Sequence, residues 1–320
     1  MGELPGEEIR NRAVLVKKEE MGVFGIRPED RPASLLVDYG IVNIDKPKGP
    51  TSHQVADYVK RILSLNKAGH SGTLDPGVTG VIPVAIGRAT RIVQALLPAG
   101  KEYIALMHIH KPVDEEKVRK TFGEMTGKIS QLPPIKSAVK RQLRQRKIHY
   151  VEVLEINGQE VLFRIGCEAG TYIRKYIHDF GQKIGCGAHM QELRRTRVGS
   201  FDESSLATLQ DLADAYYYLN EEHKEEKIRK VVLPVEKAVE LMPKVWVSDS
   251  AVSSLLHGAD LKVPGIVKIH EHIGPEQQVA IMTLKDEVIG LGIAKMSSDE
   301  IMKSEKGLAV DLKSVLYQAK

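Results

Sequence analysis

Residues 69–80 read GHSGTLDPGVTG and set one carboxylate, Asp75, among four glycines and a proline. Glycine lets the backbone take positive φ or come close to a ligand. Pro76 fixes its own φ and biases Asp75 towards extended conformations. The carboxylate is thereby presented on a stiff, exposed turn. Fixed orientation supplies much of a rate enhancement, so this arrangement suits a reactive group. The competing reading is a structural turn closed by a capping aspartate. Neither G-x-x-x-x-G-K-[ST] nor G-x-G-x-x-G occurs in the stretch, which excludes a phosphate loop. His108 and His110 share a strand face, but no acid or cysteine at ligand spacing accompanies them, and no metal site is expected.

The elements that must hold this turn lie on both sides of it. Ile41–Asp45 reads as a strand, ended by Pro47-Lys48-Gly49-Pro50. Thr51-Ser52 offers an N-cap to a helix from His53 to Leu65, with apolar positions Val55, Tyr58, Val59 and Ile62. A strand over residues 81–86 follows the turn. Lys101–His110 alternates as another strand, and Pro112–Phe122 fits a short helix. Val151–Glu155 and Val161–Glu168 form a hairpin around Asn157-Gly158. A helix over Thr171–Ile184 precedes a polar, basic strand over His189–Val198. A charged helical stretch, Leu206–Lys230, ends at Val231-Val232-Leu233-Pro234. Beyond Met242 come a short strand, a helix (Ser248–His257) and two strands flanking Lys285-Asp286. No regular βαβ repeat occurs, so the fold class is α+β, with a mixed, largely antiparallel central sheet flanked by helices. The domain division is an N-terminal extension (1–35), a main domain (36–240) and a small β-barrel-like module (241–320).

A chain of 320 residues is long enough for two cores. Its 42% hydrophobic and 28% charged residues exclude a wholly disordered chain. No apolar run approaches the roughly 20 residues of a membrane span. The start, MGELPGEEIR, lacks a basic stretch followed by an apolar core, and Gly6 breaks the myristoylation pattern. Cys167 and Cys186 have no C-x-x-C spacing, which points to a reduced intracellular compartment. The net charge of +4 decides little, but its distribution is uneven. Residues 136–147, KSAVKRQLRQRK, hold six cations and no acid, namely Lys136, Lys140, Arg141, Arg144, Arg146 and Lys147. Residues 191–197, QELRRTR, add three arginines. Two such runs point to a polyanion partner rather than a merely solvated face. Removing two or three cations from the first run is then expected to lower the salt slope of binding to that polyanion.

The run GHSGTLDPGVTGVIPVAIGRATR resembles the catalytic motif of the TruB branch of pseudouridine synthases, where the aspartate of G-x-L-D-P is essential. Asp45-Lys46-Pro47-Lys48-Gly49-Pro50-Thr51-Ser52-His53 resembles the branch's first motif, and Lys101-Glu102-Tyr103 its Lys-x-Tyr strand. Gly170-Thr171-Tyr172-Ile173-Arg174 resembles its Y-I-R segment, and residues 189–199, HMQELRRTRVG, its last motif. The resemblance implies the pseudouridine synthase fold and isomerisation of uridine in RNA. That reaction breaks the N1–C1′ bond, turns the base and rejoins it through C5. It involves no redox change, so no cofactor is expected. Asp75 is implied as the catalytic carboxylate, Arg174 as the cation that pairs with it, and Tyr103 as the ring that stacks on the target base. His53 is implied in holding the opened RNA, and Leu193 in lining the base pocket.

Residues 245–315 resemble a PUA RNA-binding domain, through Asp249-Ser250-Ala251-Val252, His257-Gly258-Ala259-Asp260-Leu261, Pro264-Gly265-Ile266, Met282-Thr283-Leu284-Lys285 and Lys306-Gly307-Leu308-Ala309-Val310-Asp311. His257 and Gly258 are its implied RNA contacts. The whole chain resembles the catalytic subunits of box H/ACA guide-RNA particles, the archaeal relatives of dyskerin. Two features carry that choice, the extension before Asp45 and the short segment His110-Lys111-Pro112-Val113-Asp114-Glu115-Glu116. The resemblance implies as partners a guide RNA, a substrate RNA, a small zinc-ribbon-like nucleolar-type protein, a Gly/Arg-rich nucleolar-type protein and a kink-turn-binding ribosomal-type protein. A lysine-rich tail like that of eukaryotic dyskerins is absent, so an archaeal, cytoplasmic protein is expected. Three other readings compete: a guide-independent synthase acting on the TΨC-loop uridine of tRNA, a noncatalytic RNA scaffold, and an aspartate-dependent glycosidase. The last would need a second carboxylate, and none falls in the loop beside Asp75.

Overall fold

The computed structural model describes residues 2–133 and 140–317. One sheet runs in the order Val232–Pro234, Gly40–Lys46, Thr79–Ile86, Ala188–Val198, Lys101–Ile109, Glu160–Cys167, Arg144–Asn157, Gly127–Gln131. Two short strands also pair with this sheet off that path, Ala68–His70 with Thr79–Ile86 and Phe201–Asp202 with Ala188–Val198. All its pairings are antiparallel except that of Thr79–Ile86 with Ala188–Val198. That junction joins Thr79 to Arg194 and Gly80 to Arg195. Gly80, at φ +100°, lies so near the Arg195 backbone that a Cβ would collide with its carbonyl.

The strand Lys101–Ile109 alternates strictly between buried and half-buried residues, as period-2 geometry requires. Its buried face (Tyr103, Ala105, Met107, Ile109) packs beneath the helices Glu115–Glu124 and Ile173–Ile184. The second of these buries Ile173, Tyr176, Ile177, Phe180, Gly181 and Ile184, an i, i+3, i+4, i+7 stripe. Truncating a fully buried aromatic such as Phe180 costs roughly 3–5 kcal/mol, so this cluster is a firm base for whatever it carries. The charged helical stretch Leu206–Lys230 consists of two helices, Leu209–Glu221 and Glu226–Val231. The break falls where His223 takes φ +53°, and the Tyr218 carbonyl accepts from both Glu222 N–H and Lys224 N–H. The expected hairpin strand reaches back to Arg144, so the last part of the basic run is sheet.

The other sheet runs Val14–Val16, Ile266–His270, Lys244–Val247, Gln278–Met282, Val288–Ala294, Leu308–Val315, Leu261–Lys262. The N-terminal segment, too weakly periodic to read as structure, thus supplies an edge strand, with Val14 opposite His270 and Val16 opposite Lys268. Both sheets contribute to one apolar cluster. Tyr39, Ile41 and Val198 meet Trp246, Met282, Val288 and Leu316 there. Beside it, Arg31 is 1% exposed and pairs with Glu236 at 2.7 Å and Glu287 at 3.2 Å, tying all three segments of the chain together. The fold is the expected mixed α+β architecture with a small second β module. No helix among the described residues is long and apolar enough to cross a membrane.

Candidate active site

Asp75 sits between two buried anchors, Leu74 (4% exposed) and Val78 (3% exposed), which enter the same apolar cluster as Tyr103 and Ile173. Its own side chain remains 56% exposed. The backbone around it is held from behind. Ser52, the buried first residue of the helix Ser52–Ile62, accepts from Leu74 N–H at 2.8 Å and donates to the Leu74 carbonyl at 3.2 Å. The fully buried Lys46 donates to the carbonyls of Pro47 (3.0 Å), Pro76 (3.2 Å) and Val78 (2.8 Å). Gly49 N–H reaches the Pro76 carbonyl at 2.9 Å. The Asp45–His53 motif is therefore the clamp of the Asp75 turn. Both the ammonium and the hydroxyl act on backbone carbonyls and amides, groups that are costly to leave unpaired when buried.

Arg174 meets Asp75 in an ion pair, 99 residues apart in sequence. It stands in the first turn of the helix Ile173–Ile184, where the helix dipole disfavours a cation, so a facing carboxylate offsets a local cost. Tyr103, 8% exposed, shares the apolar cluster of Leu74 and Ile173 and lies beside the fully buried Arg195. Burial raises its phenol above the ordinary tyrosine value, and Arg195 opposes that rise. Arg195 also donates to the carbonyls of Val81 (2.7 Å) and Gly72 (3.3 Å), linking the tyrosine to both ends of the turn. Leu193, half-buried opposite Ala105, packs on the same cluster.

His53 is exposed on the adjoining helix, its ring edge-on to His70 at 4.7 Å between centroids. The two line a cleft of about 410 Å³ with Asp57 and Lys60. Gly72 N–H donates to His70 Nδ1 at 3.3 Å, which leaves the proton on Nε2. Burial, with His53 and Arg195 nearby, lowers its pKa to about 4. His70 carries no expectation above, although the catalytic motif contains it. Lys46, Ser52 and Arg195 lie within motifs that point to the site, but nothing in their spacing shows them bonded to the turn.

The two basic runs stand differently. Lys140, Arg141 and Lys147 are exposed, Arg144 and Arg146 half-buried, and Lys136 lies outside the described residues. Arg146 rests against Gly170, at the start of the segment that carries Arg174. The three arginines of QELRRTR, taken as signs of a polyanion partner, are already engaged. Arg194 pairs with Asp45 (2.9 Å) and Glu203 (2.7 Å), Arg197 pairs with Glu7, and Arg195 is buried. They are structural cations, because folding brings acids from distant segments to them. His108 and His110 also gain companions invisible in the spacing, since His110 Nε2 lies 2.9 Å from His189 Nδ1 and His108 Nδ1 lies 2.7 Å from Glu160. Among the described residues no set of three His, Cys, Asp or Glu is arranged to hold a metal ion. His257 and Gly258 are exposed at the end of the helix Asp249–Leu256 in the second module.

Comparison with known proteins agrees with this anatomy. Residues 60–173 match the TruB family pseudouridylate synthase N-terminal domain, and 174–240 the tRNA pseudouridylate synthase B C-terminal domain. Residues 243–316 match the PUA domain and 8–56 the DKCLD (NUC011) domain. The chain is 57% identical to the "Probable tRNA pseudouridine synthase B" of Thermococcus kodakarensis, over 95% of this chain and 91% of that one. It is 49% identical to the protein of the same name from Methanopyrus kandleri, over 98% and 93%. A crystal structure of a Cbf5-Nop10-Gar1 complex contains a chain similar at TM-score 0.93 and 55% identity, covering 98% of this chain and 96% of that one. A structure of an H/ACA RNP bound to a substrate RNA containing 2′-deoxyuridine contains another, at TM-score 0.90 and 54% identity, covering 96% and 95%. At 57% identity over 95% of its length to such a relative, the chain belongs to the TruB family of pseudouridine synthases, isomerases that act on RNA.

Proposed function

We propose that Asp75 is the carboxylate that isomerises uridine, in a target chosen by a box H/ACA guide RNA. The ion pair with Arg174 carries this reading. An exposed carboxylate on a turn buried at both flanks, facing a cation placed against its own helix dipole, has no evident role in packing. Arg174 holds the carboxylate ionised and aimed. With the uridine flipped out of its stack, Asp75 attacks C1′ or takes the C2′ proton, and the N1–C1′ bond breaks. The base turns and C5 bonds to C1′ as the Asp75–C1′ bond breaks or the proton returns to C2′; C5 gives up its proton and N1 gains one, so atoms balance without a cofactor. Tyr103 and Leu193 wall the base, and His53 meets the RNA strand at the cleft mouth. Lys140, Arg141, Arg144, Arg146 and Lys147 contact RNA phosphates near the site, while His257 and Gly258 belong to the guide-binding face of the second module.

In this reading residues 36–240 are the catalytic domain, and residues 1–35 pack on an RNA-binding domain formed by 241–320. The pairing of Val14–Val16 with that module supports the division. The solved complexes support a substrate RNA and proteins of the Nop10 and Gar1 kind as partners, and the organisms of the relatives support an archaeal protein. A guide RNA and a cytoplasmic location complete the proposal. The names of the curated relatives favour a second reading, in which tRNA is modified without a guide. Pseudouridine mapping by mass spectrometry separates the two. A matched target should be modified only with guide RNA and partner proteins present, whereas efficient modification of tRNA by the chain alone would replace the first reading with the second.

A further inference from the structure

The helix that carries Arg174 starts without help from its own sequence. Tyr172 is its N-cap and makes no side-chain cap. The third helical residue is Lys175, a donor only, engaged with Asp179. A capping box is therefore impossible here, because that device needs a Glu or Gln at this position to accept from the N-cap N–H. The acceptor comes instead from another element. Gln131, the last residue of the strand Gly127–Gln131 and 2% exposed, accepts from Tyr172 N–H with Oε1 at 3.0 Å. It also donates from Nε2 to the Tyr172 carbonyl at 3.2 Å.

One side-chain amide thus holds both polar groups of a single backbone residue, two positions before Arg174. Two bonds at opposite ends of one amide fix the rotation of that backbone as well as its distance. The neighbouring Ile173 is buried in the cluster and fixes its depth. Arg174 itself is 55% exposed, so its aim at Asp75 rests on the backbone it springs from. An error of about 1 Å at a reacting group costs on the order of 100-fold in rate, which makes such a brace consequential.

We infer that Gln131 is a positioning residue for the isomerisation, acting through Arg174 by bracketing the backbone of Tyr172. The inference rests on the reading of Asp75 and Arg174 as the reacting pair. It is tested with single-turnover pseudouridylation, using the assembled protein and whichever RNA the mapping experiment shows to be modified. Gln131→Ala is expected to lower the rate about tenfold while RNA affinity stays within twofold. The same change made in an Arg174→Met background is expected to cost less than twofold, since a brace has nothing left to aim. Equal losses in both backgrounds, or no loss in either, overturn the inference. Gln131→Glu serves if the alanine variant does not fold. Its carboxylate keeps the acceptor for Tyr172 N–H, and protonation restores a donor for the carbonyl. Its rate relative to wild type is expected to rise as pH falls, and a flat ratio counts against the inference. Asp75→Asn tests the underlying reading by itself. If that variant stays active, the site assignment falls and the Gln131 inference with it. If it is dead while Gln131→Ala is fully active, only the Gln131 inference falls.

Discussion

The helices Ser52–Ile62 and Ile173–Ile184 both begin at the Asp75 turn, one from behind it and one across from it. The first is capped by its own sequence. Thr51 Oγ accepts from Gln54 N–H at 3.2 Å, and Gln54 Oε1 accepts from Thr51 N–H at 2.8 Å, a complete capping box. Its next residue, Ser52, then bonds both polar groups of Leu74. The second helix has no box and draws its cap from Gln131, on a strand 41 residues earlier. A self-sufficient start makes the back of the site independent of the rest of the fold. A borrowed one ties the aim of Arg174 to the far edge of the sheet. The holding half of the site is built locally, and the half that faces the carboxylate is built by tertiary contacts.

If that contrast is right, damage on the two sides should separate into rate and stability. Arg174→Met should give the largest effect, about a 100-fold fall in single-turnover rate, comparable to the loss of one preorganised charge partner. Its melting temperature should barely move, because an ion pair this exposed contributes only ~0–1 kcal/mol. A fall in stability with the rate intact would assign the pair to the fold. Ser52→Ala should do the reverse in proportion. It leaves buried groups of Leu74 unpaired at a cost of about 1–3 kcal/mol, visible in denaturant unfolding, with a smaller loss of rate than Arg174→Met.

The back of the site should also respond to acid. The His70 pKa is lowered to about 4 from an ordinary 6.5, so the unfolded chain binds a proton there before the folded one does. The stability due to its neutral form is complete above pH 6.5 and is lost as pH falls through 4. His70→Gln should therefore give a shallower fall in melting temperature across that window. A residual slope is expected from His270, whose pKa burial also lowers to about 4. An unchanged slope would remove His70 from the account. The smallest effect belongs to Thr51→Ala, about 1 kcal/mol of stability with the rate within twofold of wild type. Were its rate to fall as far as that of Ser52→Ala, the first helix start would not be the self-contained support described above.

Much of this site was readable along the chain. Thr51, the Pro47-Lys48-Gly49-Pro50 stop, the apolar stripe of Ile173–Ile184 and the glycine-hinged Asp75 are local signals. Each is complete within about a dozen residues, where periodicity and turn chemistry operate. The motifs named Asp75 and Arg174 through resemblance, and the fold joins them across 99 residues. Other features had no local signature. Nothing near Gln131 says that it will cap a helix, nor near Arg195 that it will be buried against Tyr103. The arginines of QELRRTR looked free until Asp45, Glu203 and Glu7 arrived from elsewhere. Val14–Val16 became a strand only because Ile266–His270 offered an edge. By itself the sequence determined most of the elements and the turn with its exposed carboxylate, because these follow from backbone preferences and hydrophobic spacing over short stretches. Which polar groups meet, and which charges are left for RNA, was decided by strand order and helix packing, which place residues far apart in the chain within hydrogen-bonding reach.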